Sequence, residues 1–204
     1  MKKQPLRLIV QILSFALFFV LLATSRLKLW LAIFLATVVL SPLVGRIYCG
    51  WVCPIHTGTM SLTMLKKRLG IKSQKMPKAL QAPWLRYALA ALLIVIFILG
   101  QRSGHRMPAL LFFLVAGMGL TLFYPETLWH RYLCPYGAIL KLTSRRAKRG
   151  MTINEGICQD HSKCKQVCPA EAVIRIDGQN RIDKSECLVC MKCKMSCPEG
   201  AISY

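Results

Sequence analysis

Four runs of apolar residues mark the first 125 positions: Leu6 to Ala23, Leu29 to Val44, Pro83 to Gly100 and Met107 to Tyr124. Each approaches the roughly 20 residues with which a helix crosses a bilayer core. Thr24 to Lys28 separates the first two and Gln101 to Arg106 the last two, so the pattern predicts two transmembrane hairpins with tight turns. The runs are slightly short, and Arg7, Arg26, Lys28 and Arg86 at their ends are expected to snorkel to the interface. Between the hairpins, Thr59 to Leu69 carries Met60, Met64 and Leu65 before Lys66-Lys67-Arg68, the pattern of a short helix lying on lipid headgroups. Met1-Lys-Lys and the first run resemble a signal peptide, but the second run follows so soon that an uncleaved helix is expected.

Composition supports the membrane reading. Mean hydropathy is +0.44, and 54% of the residues are hydrophobic, too apolar for an ordinary soluble domain. Charge then divides the chain at residue 150. Residues 151–204 hold seven acidic and seven basic side chains; residues 1–150 hold 21 basic ones and a single acid, Glu126, and so carry the whole net charge of +20. These basic residues flank apolar runs, which points to topology and away from nucleic acid. The N-terminus, the middle loop and 125–150 hold 17 of the 21, and the two turns hold four: Arg26, Lys28, Arg102 and Arg106. Positive charge collects on the cytoplasmic side, so both termini and the 151–204 segment are expected there, in a multi-pass inner-membrane protein.

Seven of the ten cysteines lie between Cys158 and Pro198. Cys187, Cys190, Cys193 and Cys197-Pro198 form an unbroken C-x2-C-x2-C-x3-C-P run, the spacing that holds cubane iron–sulfur clusters. Cys158, His161, Cys164 and Cys168-Pro169 repeat it with histidine in the second place. Zinc sites favour paired C-x2-C knuckles, and a disulfide framework does not suit thiols this closely spaced. The segment resembles the bacterial two-cluster ferredoxins. That resemblance implies a small α+β domain of order βαββαβ, with outer strands Thr152–Asn154 and Ile202–Tyr204. It also implies a hairpin of Ile174–Ile176 with Arg181–Asp183 around Asp177–Asn180, and helices starting near Cys164 and Cys193. Crossed ligation, also implied, gives one cluster Cys187, Cys190, Cys193 and Cys168, and the other Cys158, Cys164 and Cys197. For the latter either His161 completes a four-iron cluster, or a three-iron cluster lacks that corner.

Placing Cys53-Pro54 on Cys134-Pro135 aligns the two hairpins as a parallel repeat: Trp51 falls on Tyr132, Cys49 on His130, and basic tracts follow at one offset, Lys66-Lys67-Arg68 and Lys148-Arg149. Cys49, Cys53, His130 and Cys134 thereby become candidate ligands of a further metal or cluster site. The alternatives are turn residues, or a Cys49/Cys53 redox pair. With Tyr48-Cys49-Gly-Trp51-Val-Cys53-Pro54, Arg131-Tyr-Leu-Cys134-Pro135 and the cysteine-rich tail, the whole chain resembles the NapH-type membrane ferredoxins and their relatives NosR and CcoG. It departs from their pattern at His130 and His161.

The expected architecture is therefore a four-helix transmembrane domain over 1–150 and a two-cluster ferredoxin domain over 151–204. The expected function is membrane-anchored electron transfer between a redox protein partner and the membrane, with quinone as the candidate pool. The alternative is a redox assembly or regulatory factor for a metalloenzyme. No phosphate-binding loop, dinucleotide fingerprint or nucleophile triad is present, so the chain reads as an electron-transfer subunit, quinol-dehydrogenase-like by resemblance, and not as a stand-alone enzyme. His105 is a candidate quinone contact, His56 a candidate neighbour of the Cys53 loop, and Glu126 is expected to pair with Arg131 or Arg86.

Overall fold

The computed structural model describes residues 5–103 and 109–204. Lys2, Lys3, His105, Arg106 and the side chain of Arg102 lie outside the described residues. The chain divides into two compact units, Met1–Cys53 with Leu140–Tyr204, and Pro54–Ile139. Residue 150 thus marks a change of composition, while the cysteine-rich tail packs in one unit with the first apolar hairpin.

In the first unit, α1 (Pro5–Ala23) and α2 (Leu27–Val44) are long and apolar enough to cross a membrane. On α1 the buried positions are Arg7, Gln11, Phe18 and Leu21, whose spacing places them on one face. Leu6, Leu13, Val20, Leu29 and Val39 are among the many exposed apolar residues of this hairpin. After Gly45 the chain makes a five-residue helix, α3 (Ile47–Trp51). Aromatic side chains hold these helices together. The Phe18 and Trp30 rings meet edge to face, as do Phe34 and Tyr48, and Trp30 Nε1 donates to the Tyr48 hydroxyl at 2.9 Å.

The tail forms two small antiparallel sheets. β1 (Thr152–Ile153) pairs with β4 (Ile202–Ser203), and β2 (Val173–Ile176) pairs with β3 (Gln179–Ile182). The latter hairpin turns through Asp177 and Gly178 alone, both at positive φ (50° and 80°), as a two-residue type I′ turn requires. It is tighter than the four-residue turn expected. Short helices α7 (Lys163–Gln166) and α8 (Lys192–Ser196) each begin beside a cysteine. The core is Met151, Ala172, Val173, Val189, Met191 and Ile202, together with Cys164, Cys187 and Cys193.

The second unit contains α4 (Pro54–Arg68), α5 (Leu85–Ser103), α6 (Ala109–Phe123) and a π-helical turn, Leu128–Leu133. Among the described residues its apolar stretches run over Leu85–Leu99 and Ala109–Phe123. The helix over Thr59 to Leu69 differs from the headgroup-lying helix expected. It begins at Pro54 and packs on α6, where a Cβ on Gly58 would come within 3.1 Å of Met118 and one on Gly117 within 3.1 Å of Ile55. Close helix approach of this kind needs small residues. Lys66 is buried and donates to the Thr121 carbonyl and the Ser73 hydroxyl, each at 2.9 Å.

Candidate iron–sulfur sites and their surroundings

The geometry of the cysteine-rich tail begins with its backbone. Within each run, the residues two and four places after the first cysteine adopt positive φ: Asp160 (54°) and Ser162 (53°) in the first, Val189 (53°) and Met191 (58°) in the second. Such conformations are costly for a β-branched valine, and both loops adopt them at the same places. The two loops therefore share one shape, and His161 occupies in the first the position of Cys190 in the second.

Two cavities result. One is lined by Cys168, Cys187, Cys190 and Cys193 among apolar neighbours such as Met151, Val173 and Ile182. The other is lined by Cys158, His161, Cys164 and Cys197, with the polar residues Asp160, Asn180 and Glu199 beside them. Each thus draws three residues from one run and one cysteine from the other. Four soft sulfur donors around one apolar space fit an iron–sulfur cluster. Backbone amides already point at two of the sulfurs: Ala172 N–H donates to Cys168 Sγ at 3.2 Å and Val189 N–H to Cys187 Sγ at 3.4 Å.

Burial disfavours the free thiolate form of several of these cysteines. Burial pushes the Cys187 thiol up to about 12, and burial is likewise the main reason that Cys193, Cys190 and Cys164 lie above the usual thiol range. Without iron these groups stay protonated at neutral pH, so binding iron must release their protons.

The two cavities differ in their surroundings. Cys187 to Met191 is buried throughout, whereas His161 is exposed and Cys158 half-exposed. The buried loop lies on α3. Trp51 Nε1 donates to the Val189 carbonyl at 3.0 Å, and a Cβ on Gly50 would overlap the Leu188 carbonyl. Arg7, expected to snorkel to the interface, is instead 4% exposed. It donates to the Cys190 carbonyl, and through Nε to the Gly50 carbonyl at 3.3 Å. Gln11 donates to the same Gly50 oxygen at 3.0 Å. Arg46, 1% exposed, pairs with Glu186 at 3.3 Å, as does Lys141 at 2.5 Å. Cys49 is buried beside it, with Sγ 4.0 Å from Arg46 Nη2, and burial raises its thiol above the usual range. None of these contacts is legible in the cysteine spacing.

Of the Cys-Pro loop residues, Cys49 and Cys53 belong to the first unit, His130 and Cys134 to the second. In the second unit His130 Nε2 stands 3.2 Å from His56 Nδ1 and 3.2 Å from the Thr59 hydroxyl. Arg86, a second residue expected to snorkel, is buried and donates to the Arg131 carbonyl at 3.0 Å.

Comparison with known proteins agrees with this chemistry. A family described as a 4Fe-4S binding domain matches twice, over 27–72 and 106–152, so that each match contains one Cys-Pro loop. A second family of the same description matches 181–203, the Cys187–Cys197 run. An uncharacterized protein of Methanocaldococcus jannaschii is 28% identical over 177 residues, covering 82% of this chain and 67% of its own. The putative electron transport protein YccM of Escherichia coli is 27% identical, covering 80% of this chain and 52% of its own. The ferredoxin-type protein NapH of Haemophilus influenzae is also 27% identical, covering 78% and 62%. The chain therefore spans between half and two thirds of the latter two. No solved structure matches it. The chain is a homologue of the NapH-type ferredoxins and of YccM over most of its length, with 4Fe-4S binding domains of two types.

Proposed function

We propose that this protein is a membrane-anchored electron carrier whose tail takes electrons at an exposed site and delivers them toward the membrane through a buried one, or runs in reverse. When bound, the clusters supply one-electron carriers; the protein's residues decide where electrons enter and leave. Cys168, Cys187, Cys190 and Cys193 would hold the buried cluster. Cys158, Cys164, Cys197 and His161 would hold the exposed one, at the face open to a redox partner. The names of YccM and NapH support the electron-transport reading. The two apolar helices of the first unit support anchoring, and the second hairpin would complete four crossings in the inner membrane.

One observation carries the course of the path: Arg7 and Trp51 hold the Cys187–Cys190 loop on the backbone between Cys49 and Cys53, where Gln11 also bonds to Gly50. The membrane-side acceptor is thus expected on the Cys49 side, with a quinone as its chemical class. Cys49, Cys53 and Cys134 are cysteines that the two tail clusters would not use, and they fall within the two 4Fe-4S matches.

The test uses the full chain in detergent, reconstituted anaerobically, with iron and sulfide analysis and paramagnetic resonance of the reduced protein. Two cluster signals are expected. Cys190→Ala should remove the buried one, leave the exposed one reducible by dithionite, and abolish electron exchange with a soluble quinone analogue. Quinone exchange that survives this loss refutes the proposed path.

A further inference from the structure

Outside the cysteine-rich tail, the second unit gathers three metal-ligating side chains, none of them a cysteine. His56, Glu126 and His130 are all buried, and one ligand atom from each lies within 4.8 Å of the others. His56 sits in the first turn of α4. Glu126 and His130 stand four places apart on the helical stretch that widens into the π-helical turn Leu128–Leu133, which brings both toward α4. Turns of this kind are frequent at functional sites. Glu126 is also the sole acid among the 21 basic residues of 1–150.

We propose that His56, Glu126 and His130 form a mononuclear site for a divalent transition-metal ion, separate from the iron–sulfur clusters. Two nitrogen ligands about 2.0–2.1 Å from a tetrahedral ion stand roughly 3.3 Å apart, and His56 Nδ1 to His130 Nε2 measures 3.2 Å. That spacing also suits a hydrogen bond between two neutral imidazoles, with the Thr59 hydroxyl as a further partner at 3.2 Å. Metal binding then needs only that each ring carry its proton on the other nitrogen, with no net change in charge on the histidines. Two imidazoles and one carboxylate are the donor set of zinc sites that keep a fourth position open, and of non-haem ferrous sites. The donors contain no sulfur, so the site selects against the soft chemistry of the tail.

The experiment loads the reconstituted full-length protein with Zn²⁺, removes loosely held ion on a weak chelating resin, and measures zinc alongside iron and sulfide. Zinc absorption-edge spectroscopy then reports the donors without interference from iron. One zinc per chain is expected, with nitrogen and oxygen neighbours at about 2.0–2.1 Å and no sulfur at about 2.3 Å. Glu126→Gln and His56→Gln should each weaken retention at least tenfold while iron and sulfide stay unchanged. Should one variant lose its iron through misfolding, the other carries the test. A wild-type chain that retains no zinc, a sulfur-containing shell, or variants that hold zinc like the wild type would each overturn the proposal.

Discussion

His161 is the single side chain by which the two cluster loops differ in donor type. Its loop has the backbone shape of the Cys187 loop, down to the two positive-φ residues, and it lines the cavity with Cys158, Cys164 and Cys197. It is expected to be the fourth ligand. His161→Cys should then leave the iron count unchanged and move the potential of that cluster down, because imidazole in place of thiolate raises cluster potentials. A rise in iron with conversion of a three-iron signal to a four-iron one would exclude ligation by His161. Arg7 is the corresponding residue at the buried site, where its guanidinium donates to the Cys190 carbonyl. Reduction adds negative charge beside that cation. At an effective dielectric of about 20, a unit charge contributes on the order of 1–2 kcal/mol over roughly ten ångströms, several tens of millivolts for a one-electron couple. Arg7→Gln should therefore lower the buried cluster's potential by about that amount, read by redox titration of its resonance signal, and leave the exposed cluster's potential in place.

At the scale of elements, the tail was the most legible part of the chain, because its determinants are local. Cysteine spacing gives the loops, and the strands β1 to β4 lie within a residue or two of where the ferredoxin pattern sets them. The contacts of α1 and α3 were not legible. A charged residue near the end of an apolar run reads as a snorkelling one, and the acceptors of Arg7 and Gln11 are backbone carbonyls, which leave no mark in a sequence. The same holds for α4. Its basic end reads as a lipid-facing tract, whereas Lys66 finds the Thr121 carbonyl that α6 presents. The pairing of His56 with His130 depends on a π-helical turn that residue periodicity does not signal. The seating of α3 on the cluster loop makes its own prediction. Gly50 has no space for a methyl group against the Leu188 carbonyl and the Cys190 backbone, and overpacking of this kind costs about 1–3 kcal/mol. Gly50→Ala should lower the melting temperature and release iron first from the buried cluster, as followed by the decay of its signal on warming.

For the molecule as a whole, the first unit fixes which ends of the α1–α2 hairpin share a side with the tail. Arg7, near the start of α1, reaches Cys190. The end of α2 is tied to the tail and the residues leading into it by three bonds: Lys148 N–H to the Pro42 carbonyl at 3.0 Å, Arg149 N–H to that of Leu43 at 2.9 Å, and the Tyr204 hydroxyl to that of Val44 at 3.0 Å. The Thr24–Arg26 turn therefore lies at the opposite end of two helices of 19 and 18 residues, a length of about 27–29 Å that is close to the hydrocarbon core of a bilayer. The bias of basic residues, 17 against four, predicts the cytoplasm for the tail end, and a reducing compartment would suit its thiols. The topology this predicts can be tested. Ser25→Cys in the turn should react with a membrane-impermeant maleimide in intact cells, measured against the wild-type background. Glu199→Cys, on the exposed surface of the tail, should react only after the membrane is opened. The reverse pattern would place the clusters outside the cytoplasm and overturn the topology. Labelling of both in intact cells would show that the hairpin does not cross.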